Sequence, residues 1–333
     1  GTTAEGKPLP ETLLQPVPTN VNIVIIGDSI SRYGYLSLVY FLRWGRWFEP
    51  TLEKSNLVCE RSFKSPFHDN ELAEFYFQTG RMLQPYELCD CYKSKVDATN
   101  EKHIENRYYH DPVLNNTVTF FHAYGHQMEI HGRIKAEEAY DLSKWDWHKK
   151  ENGLLEQEYR EPAWEFATWH DMVDFYLAKM NPKPEHVIVN AGQWFNRFGP
   201  VGKNAGISEQ FAQSLDKLGV KSGVWRTTTH KKGGELLNRH QEETDQFMCD
   251  LLPDCLNVTW TAQVEDFFWW DNVHYYEPVY RAINEAMLEY LGYLPRGYKK
   301  LRRSKLIKGY VDPLRNEYAF HLDGVDDEDD ENQ

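Results

Sequence analysis

The stretch "VNIVIIGDSISRYGY" (Val21 to Tyr35) decides how the chain is read. Asn22–Ile26 is a continuous β-branched run, the signature of a strand buried on both faces of a parallel sheet. Gly27-Asp28-Ser29 breaks it, and "YLSLVYFLRW" then has the spacing of a helix with an apolar face. A serine thus stands where a strand stops and a helix begins. Either Asp28 shapes the turn and Ser29 caps the helix, or Ser29 is a nucleophile set at a helix N-terminus, where unpaired N–H groups favour developing negative charge.

The rest of the chain repeats the strand-then-helix rhythm. "TVTFFHAYG" (Thr117–Gly125), "HVIVNAG" (His186–Gly192), "VKSGVWRTTT" and "LNVTW" read as strands. Between them, helices are expected at Ala163–Met180, at "SEQFAQSLDKLG" with Ser208 as N-cap and Gly219 as stop, and at "GELLNRHQEETDQFMCDLL". A last helix is expected at Glu277–Gly292, with Pro278 in its first turn. The expected fold is α/β, a parallel sheet of about five strands with helices on both faces. A 1–20 extension precedes a 21–295 catalytic domain. Irregular aromatic sequence at about 54–116 reads as an insertion, and 296–333 as a basic, then acidic, tail. In such sheets ligands bind beyond the carboxyl ends of the strands. Ser29, the His122–Gly125 loop, Asn190–Trp194, Thr228–His230 and Asp271–His274 all fall at or after strand ends.

A serine hydroxyl needs a base, and the base needs an orienting carboxylate. "WWDNVHYYEP" supplies both, with Asp271 and His274 three residues apart. Candidate oxyanion or substrate-binding groups are the Ser29 N–H, Gly125, Asn190, Gly192 and Gln193. Arg32 and Arg226 are candidates to hold an anionic group or brace the site, and His230, which follows "RTTT", is read either as lying near the site or as a solvated loop histidine. Trp194, Trp269 and Trp270 are read either as a sugar-stacking platform or as core.

These blocks together resemble a known family. "IIGDSISR" is similar to the GDS-x-x-R block of the PC-esterase family, which includes the trichome birefringence-like proteins, within the SGNH/GDSL hydrolase superfamily. "VIVNAGQWF" resembles its Asn-x-Gly-His-Trp strand end, with Gln193 in place of His. "WRTTTH" resembles its Arg-Thr-x-x-x-His stretch, and "DNVH" its closing Asp-x-x-His. The resemblance implies an SGNH-type (flavodoxin-like) fold and a Ser29–His274–Asp271 triad. It also implies acyl-ester chemistry, with O-acetyl groups on polysaccharides as the best-known substrates. Plant members are largely Golgi acetyltransferases, and relatives are esterases. The expected partners are a carbohydrate substrate or acceptor and an acyl donor, either acetyl-CoA or an acetylated glycan. The rival reading is a non-catalytic glycan-binding protein on a degenerate hydrolase fold.

Composition narrows the remaining classes. The 333 residues include 11 Trp, 20 Tyr and 17 Phe, which suits a globular, aromatic-lined protein. Net charge is −14, part of it from the tail "GVDDEDDENQ", and an acidic body disfavours nucleic-acid binding. "RGYKKLRRSKLIKG" (Arg296 to Gly309) is expected to be a solvated basic segment. No apolar run reaches the length of a membrane span. The chain does not begin with Met, which leaves a removed leader or anchor open. Of Cys59, Cys89, Cys91, Cys249 and Cys255, the pair Cys249–Cys255 is the expected disulfide. Cys89-x-Cys91 is too tight for a zinc knuckle, and Gly125 interrupts any helix that would pair His122, His126 and His131 on a metal, so neither metal nor cofactor is expected. Sequons at Asn115 and Asn257, with the cysteines, lean towards the secretory pathway, in the Golgi lumen or outside the cell.

Overall fold

A computed structural model describes residues 14–49, 52–54, 61–63, 75, 106–123, 168–190, 193, 205–232 and 239–307. In chain order its elements are β1 (Asn22–Gly27), α1 (Ser29–Trp44), a hairpin of β2 (Leu52–Lys54) and β3 (Arg61–Phe63), β4 (Asn106–Asp111), β5 (Asn116–His122) and α2 (Trp169–Phe175). Then follow β6 (His186–Asn190), α3 (Ala205–Leu218), β7 (Ser222–Arg226), α4 (Arg239–Leu251), β8 (Asp254–Leu256) and α5 (Glu277–Tyr290). Six strands form one sheet in the order β4-β5-β1-β6-β7-β8. All neighbours pair in parallel except β4, which runs antiparallel to β5 along the edge.

The β-branched run of β1 sits at the centre because both of its faces are covered. Ile23 and Ile25 pack with α1 and α5, whereas Val24 and Ile26 pack with α2, α3 and α4. Period-two alternation along a strand buried on both sides gives this division. The sheet is therefore sandwiched between two helical layers, as the strand–helix rhythm predicts.

Several local expectations change. Helix α1 is buried almost all round, from Ile30 to Leu42, rather than along one face. Its outer side is covered by aromatics: Phe41 stacks on Trp47 at 4.4 Å, Tyr40 meets Phe75 at 5.1 Å, and Tyr298 meets Phe41 at 5.7 Å. Part of the basic segment is accordingly not solvated, because Leu301 and Leu306 enter the core. Strand β4 lies inside the stretch read as an insertion and pairs with β5 along its length. The last strand is Asp254–Leu256, and Thr259–Gln263 is a 3-10 turn rather than its continuation. Ser208 is inside α3 and buried, not its cap. Gly219 does stop that helix, at φ +77°, and Pro278 opens α5. The disulfide is Cys249–Cys255, joining the end of α4 to β8.

Candidate active site

The parallel strands β1, β5, β6, β7 and β8, numbered in chain order, lie as 2-1-3-4-5. The connections leave β1 and β6 in opposite directions, so a crevice opens between their carboxyl ends. Gly27 is the last residue of β1 and pairs with Asn190, the last of β6. A Cβ on Gly27 would lie 2.2 Å from Ser31 Oγ and 2.4 Å from the Asn190 carbonyl oxygen. Glycine is required there so that the chain can turn from strand into helix at that crevice.

Asp28, not Ser29, caps α1: its Oδ1 accepts the Ile30 N–H at 3.0 Å. Ser29 is the first helical residue, half-buried, so the capping alternative is removed and its hydroxyl is left for other work. That hydroxyl lies 2.7 Å from His274 Nε2. His274 Nδ1 lies 2.7 Å from Asp271 Oδ2. With the Nδ1 proton donated to Asp271, Nε2 remains an acceptor for the Ser29 O–H.

His274 is held by a tight antiparallel turn. The Tyr276 N–H donates to the Phe268 carbonyl at 2.8 Å, and the Trp270 N–H to the His274 carbonyl at 3.0 Å. Inside the turn Asp271 Oδ1 accepts the N–H groups of Val273 and His274, each at 2.7 Å. One carboxylate thus builds the loop with one oxygen and orients the imidazole with the other. Partial burial pushes the Asp271 carboxyl up, but the N–H and imidazole donors outweigh it and hold the group below the usual range. The imidazole stacks on Trp270 at 5.1 Å and meets the Tyr33 ring edge-on at 5.6 Å.

The other predicted residues divide. Arg226 is buried; its Nη2 donates to Ser31 Oγ at 2.9 Å, and its carbonyl accepts Asn190 Nδ2 at 2.7 Å. It braces β6, β7 and the first turn of α1 rather than standing open to an anion. Burial pushes the neighbouring Asp28 carboxyl up, and Arg226 and His274 oppose that. Arg32 is buried with its guanidinium over the Tyr33 ring at 5.0 Å. Gln193 is half-buried and donates to the Thr229 carbonyl at 2.6 Å. His230 is buried, which pushes its imidazole pKa down, and its carbonyl accepts the Tyr275 hydroxyl at 2.7 Å. Trp269 belongs to the core and cannot offer a stacking face, whereas Trp270 is half-buried against His274. Gly125, Gly192 and Trp194 lie outside the described residues, as do Cys59, Cys89, Cys91, His126 and His131. The same holds for the side chain of His122.

Two supporting residues escaped the sequence reading. Tyr275 ties the His274 turn to the loop after β7 through the His230 carbonyl. Asp245, on α4, accepts Trp225 Nε1 at 2.7 Å and the N–H and hydroxyl of Thr228, fixing the exit of β7. One of two tyrosines after the histidine and one acid among several on a polar helix carried no signal of either role.

The arrangement has the parts for acyl transfer: a serine on a histidine on a carboxylate, with the Ser29 N–H at the start of a helix. Among the described residues no group of three or more His, Cys, Asp or Glu is placed to hold a metal ion. No helix among them is long and apolar enough to cross a membrane. No protein-family model, no curated protein and no solved structure matches the chain.

Proposed function

We propose that the chain is a serine-dependent acyl-ester enzyme of the PC-esterase type, moving an acyl group, acetyl in the first instance, onto a carbohydrate hydroxyl. The observation that carries the reading is the unbroken line from Ser29 Oγ through His274 to Asp271, with both links at 2.7 Å. His274 Nε2 takes the Ser29 proton as Oγ attacks the ester carbonyl. The Ser29 N–H faces the developing oxyanion, and His274 returns the proton to the departing alkoxide. A sugar hydroxyl then gives its proton to His274 and attacks the acyl-Ser29 carbonyl, which frees Ser29 and leaves the new ester. The 2-1-3-4-5 sheet with its crevice at β1 and β6 supports an SGNH-like, flavodoxin-like reading of the fold. The disulfide supports a secretory location.

Hydrolysis is the second reading, and one observation favours it. The Asp271 side chain is 42 % exposed, so water reaches the rim of the triad. In that case water replaces the sugar hydroxyl in the second half-reaction.

Intact mass after treatment with a fluorophosphonate tests the nucleophile. One adduct is expected on the wild type and none on Ser29→Ala. An equal adduct on both, or none on either, overturns the reading. Mass spectrometry of acetylated oligosaccharides with acceptor in excess then separates the two outcomes. Acetyl found on the acceptor means transfer, and free acetate alone means hydrolysis.

A further inference from the structure

Two Asn-x-Thr sequons are present, both with an exposed asparagine, and the structure treats their threonines oppositely, Thr117 being buried and Thr259 exposed. Asn115 sits in the β4–β5 turn at φ +54°. Its side-chain Nδ2 donates to Asn20 Oδ1 at 2.9 Å. The next residue, Asn116, is buried and accepts the Val21 N–H while donating to the Pro18 carbonyl. Thr117 is buried in β5, with its hydroxyl on His110 Nδ1 at 3.2 Å. An enzyme reading this triplet would have to peel β5 from the sheet.

Asn257 follows β8 on an exposed turn. Its Oδ1 accepts both the Thr259 N–H at 2.9 Å and the Thr259 hydroxyl at 2.7 Å. This Asx turn places the sequon hydroxyl against the acceptor carboxamide and polarises it through the oxygen. The Nδ2 group, which would take the sugar, has no partner among the described residues. Between the two, Val258 is fully buried and its N–H donates to Thr227 Oγ1 at 2.8 Å. That anchor turns Asn257 and Thr259 outward together. Two residues upstream, Cys255 is disulfide-bonded to Cys249, and such bonds persist in oxidising compartments, where N-glycosylation also takes place.

We propose that Asn257 is an N-glycan acceptor and that Asn115 is not. In the transfer Asn257 Nδ2 bonds to C1 of a glycan carried on a polyprenyl diphosphate. The C1–oxygen bond breaks with its electron pair going to the diphosphate, and the amide gives up one proton. The glycan would stand at the end of β8, whose outer edge has no strand partner among the described residues, and would shield that edge from pairing with another chain. Three strand spacings, roughly 14 Å, separate β8 from β1, so the sugar would flank the crevice without filling it.

The test is to secrete the chain from eukaryotic cells behind a leader. The glycans are then removed with peptide-N-glycosidase in heavy-oxygen water, and the labelled aspartates are mapped by mass spectrometry. Label at position 257 and none at 115 is expected, and Thr259→Ala should abolish the deglycosylation shift. An unlabelled position 257 in the secreted chain, or equal label at both positions, overturns the proposal. The wild-type map decides this even if the variant fails to fold. It is also independent of whether Ser29 reacts.

Discussion

Asp271 and Glu277 lie six residues apart on one segment and are held in opposite states. Asp271 is on the exposed turn, and its N–H and imidazole donors keep it below the ordinary carboxylate range against partial burial. Glu277 opens α5 and is buried between α5 and α1. Burial pushes its carboxyl up to about 8, although the Ser37 hydroxyl and Arg281 oppose it. The helix N-terminus would favour a charged Glu277, but desolvation outweighs it. The contrast teaches where this molecule keeps charge. The anion stands where N–H groups and water serve it, and it faces the His274 imidazole. The neighbouring acid stays protonated and serves packing.

The largest effect is expected from breaking the charged side. Asp271→Asn should slow fluorophosphonate labelling of Ser29 by about three to four orders of magnitude, the scale of losing the correct tautomer in a serine triad. Far-UV circular dichroism should be unchanged. Labelling at the wild-type rate would remove Asp271 from the chemistry.

The neutral side is tested by stability rather than rate. The folded pKa of Glu277, about 8, lies above the ordinary glutamate value of 4.5, so the folded state binds the extra proton between those limits. Its contribution is full below the lower value and is lost as pH rises towards about 8. The slope is at most about 1.4 kcal/mol per pH unit. Glu277→Gln should flatten urea midpoints measured from pH 5 to pH 8 while labelling of Ser29 proceeds as in the wild type. A slope that persists in the variant would place its source elsewhere. Ser37→Ala removes the hydroxyl donor and should cost about 1–3 kcal/mol at pH 6, read from the same midpoints.

A third carboxyl sharpens the comparison at the smallest scale. Asp28 is buried like Glu277 but caps a helix through Ile30, as Asp271 caps a turn. Asp28→Ala should cost about 1 kcal/mol, the usual value of an N-cap, measured by urea unfolding. A much larger loss would show that its neighbours Arg226 and His274 depend on its charge.

Much of this was legible in the chain because the relevant signals are local. The β-branched run followed by Gly-Asp-Ser marked the crevice strand and its helix. Asp271-x-x-His274 closes within one turn, so spacing alone paired them. Cys249 and Cys255 are near neighbours in sequence, and Gly219 marked a helix end. What was misread or left open in the chain has the opposite property. Whether α1 shows one face or none to solvent depends on Trp47, Phe75 and Tyr298 arriving from elsewhere. Trp269 and Trp270 are adjacent and identical, yet one is core and the other lies on the imidazole.

By itself the sequence determined the alternation of strands and helices, the elbow at Ser29 and the pairing of Asp271 with His274. Each rests on interactions between residues close along the chain. Only the tertiary structure brought His274 across 245 positions to Ser29, buried Thr117 of one sequon while leaving Thr259 of the other exposed, and kept the proton on Glu277. These outcomes depend on burial and on partners from distant segments, and desolvation has no value until the chain has closed around the group.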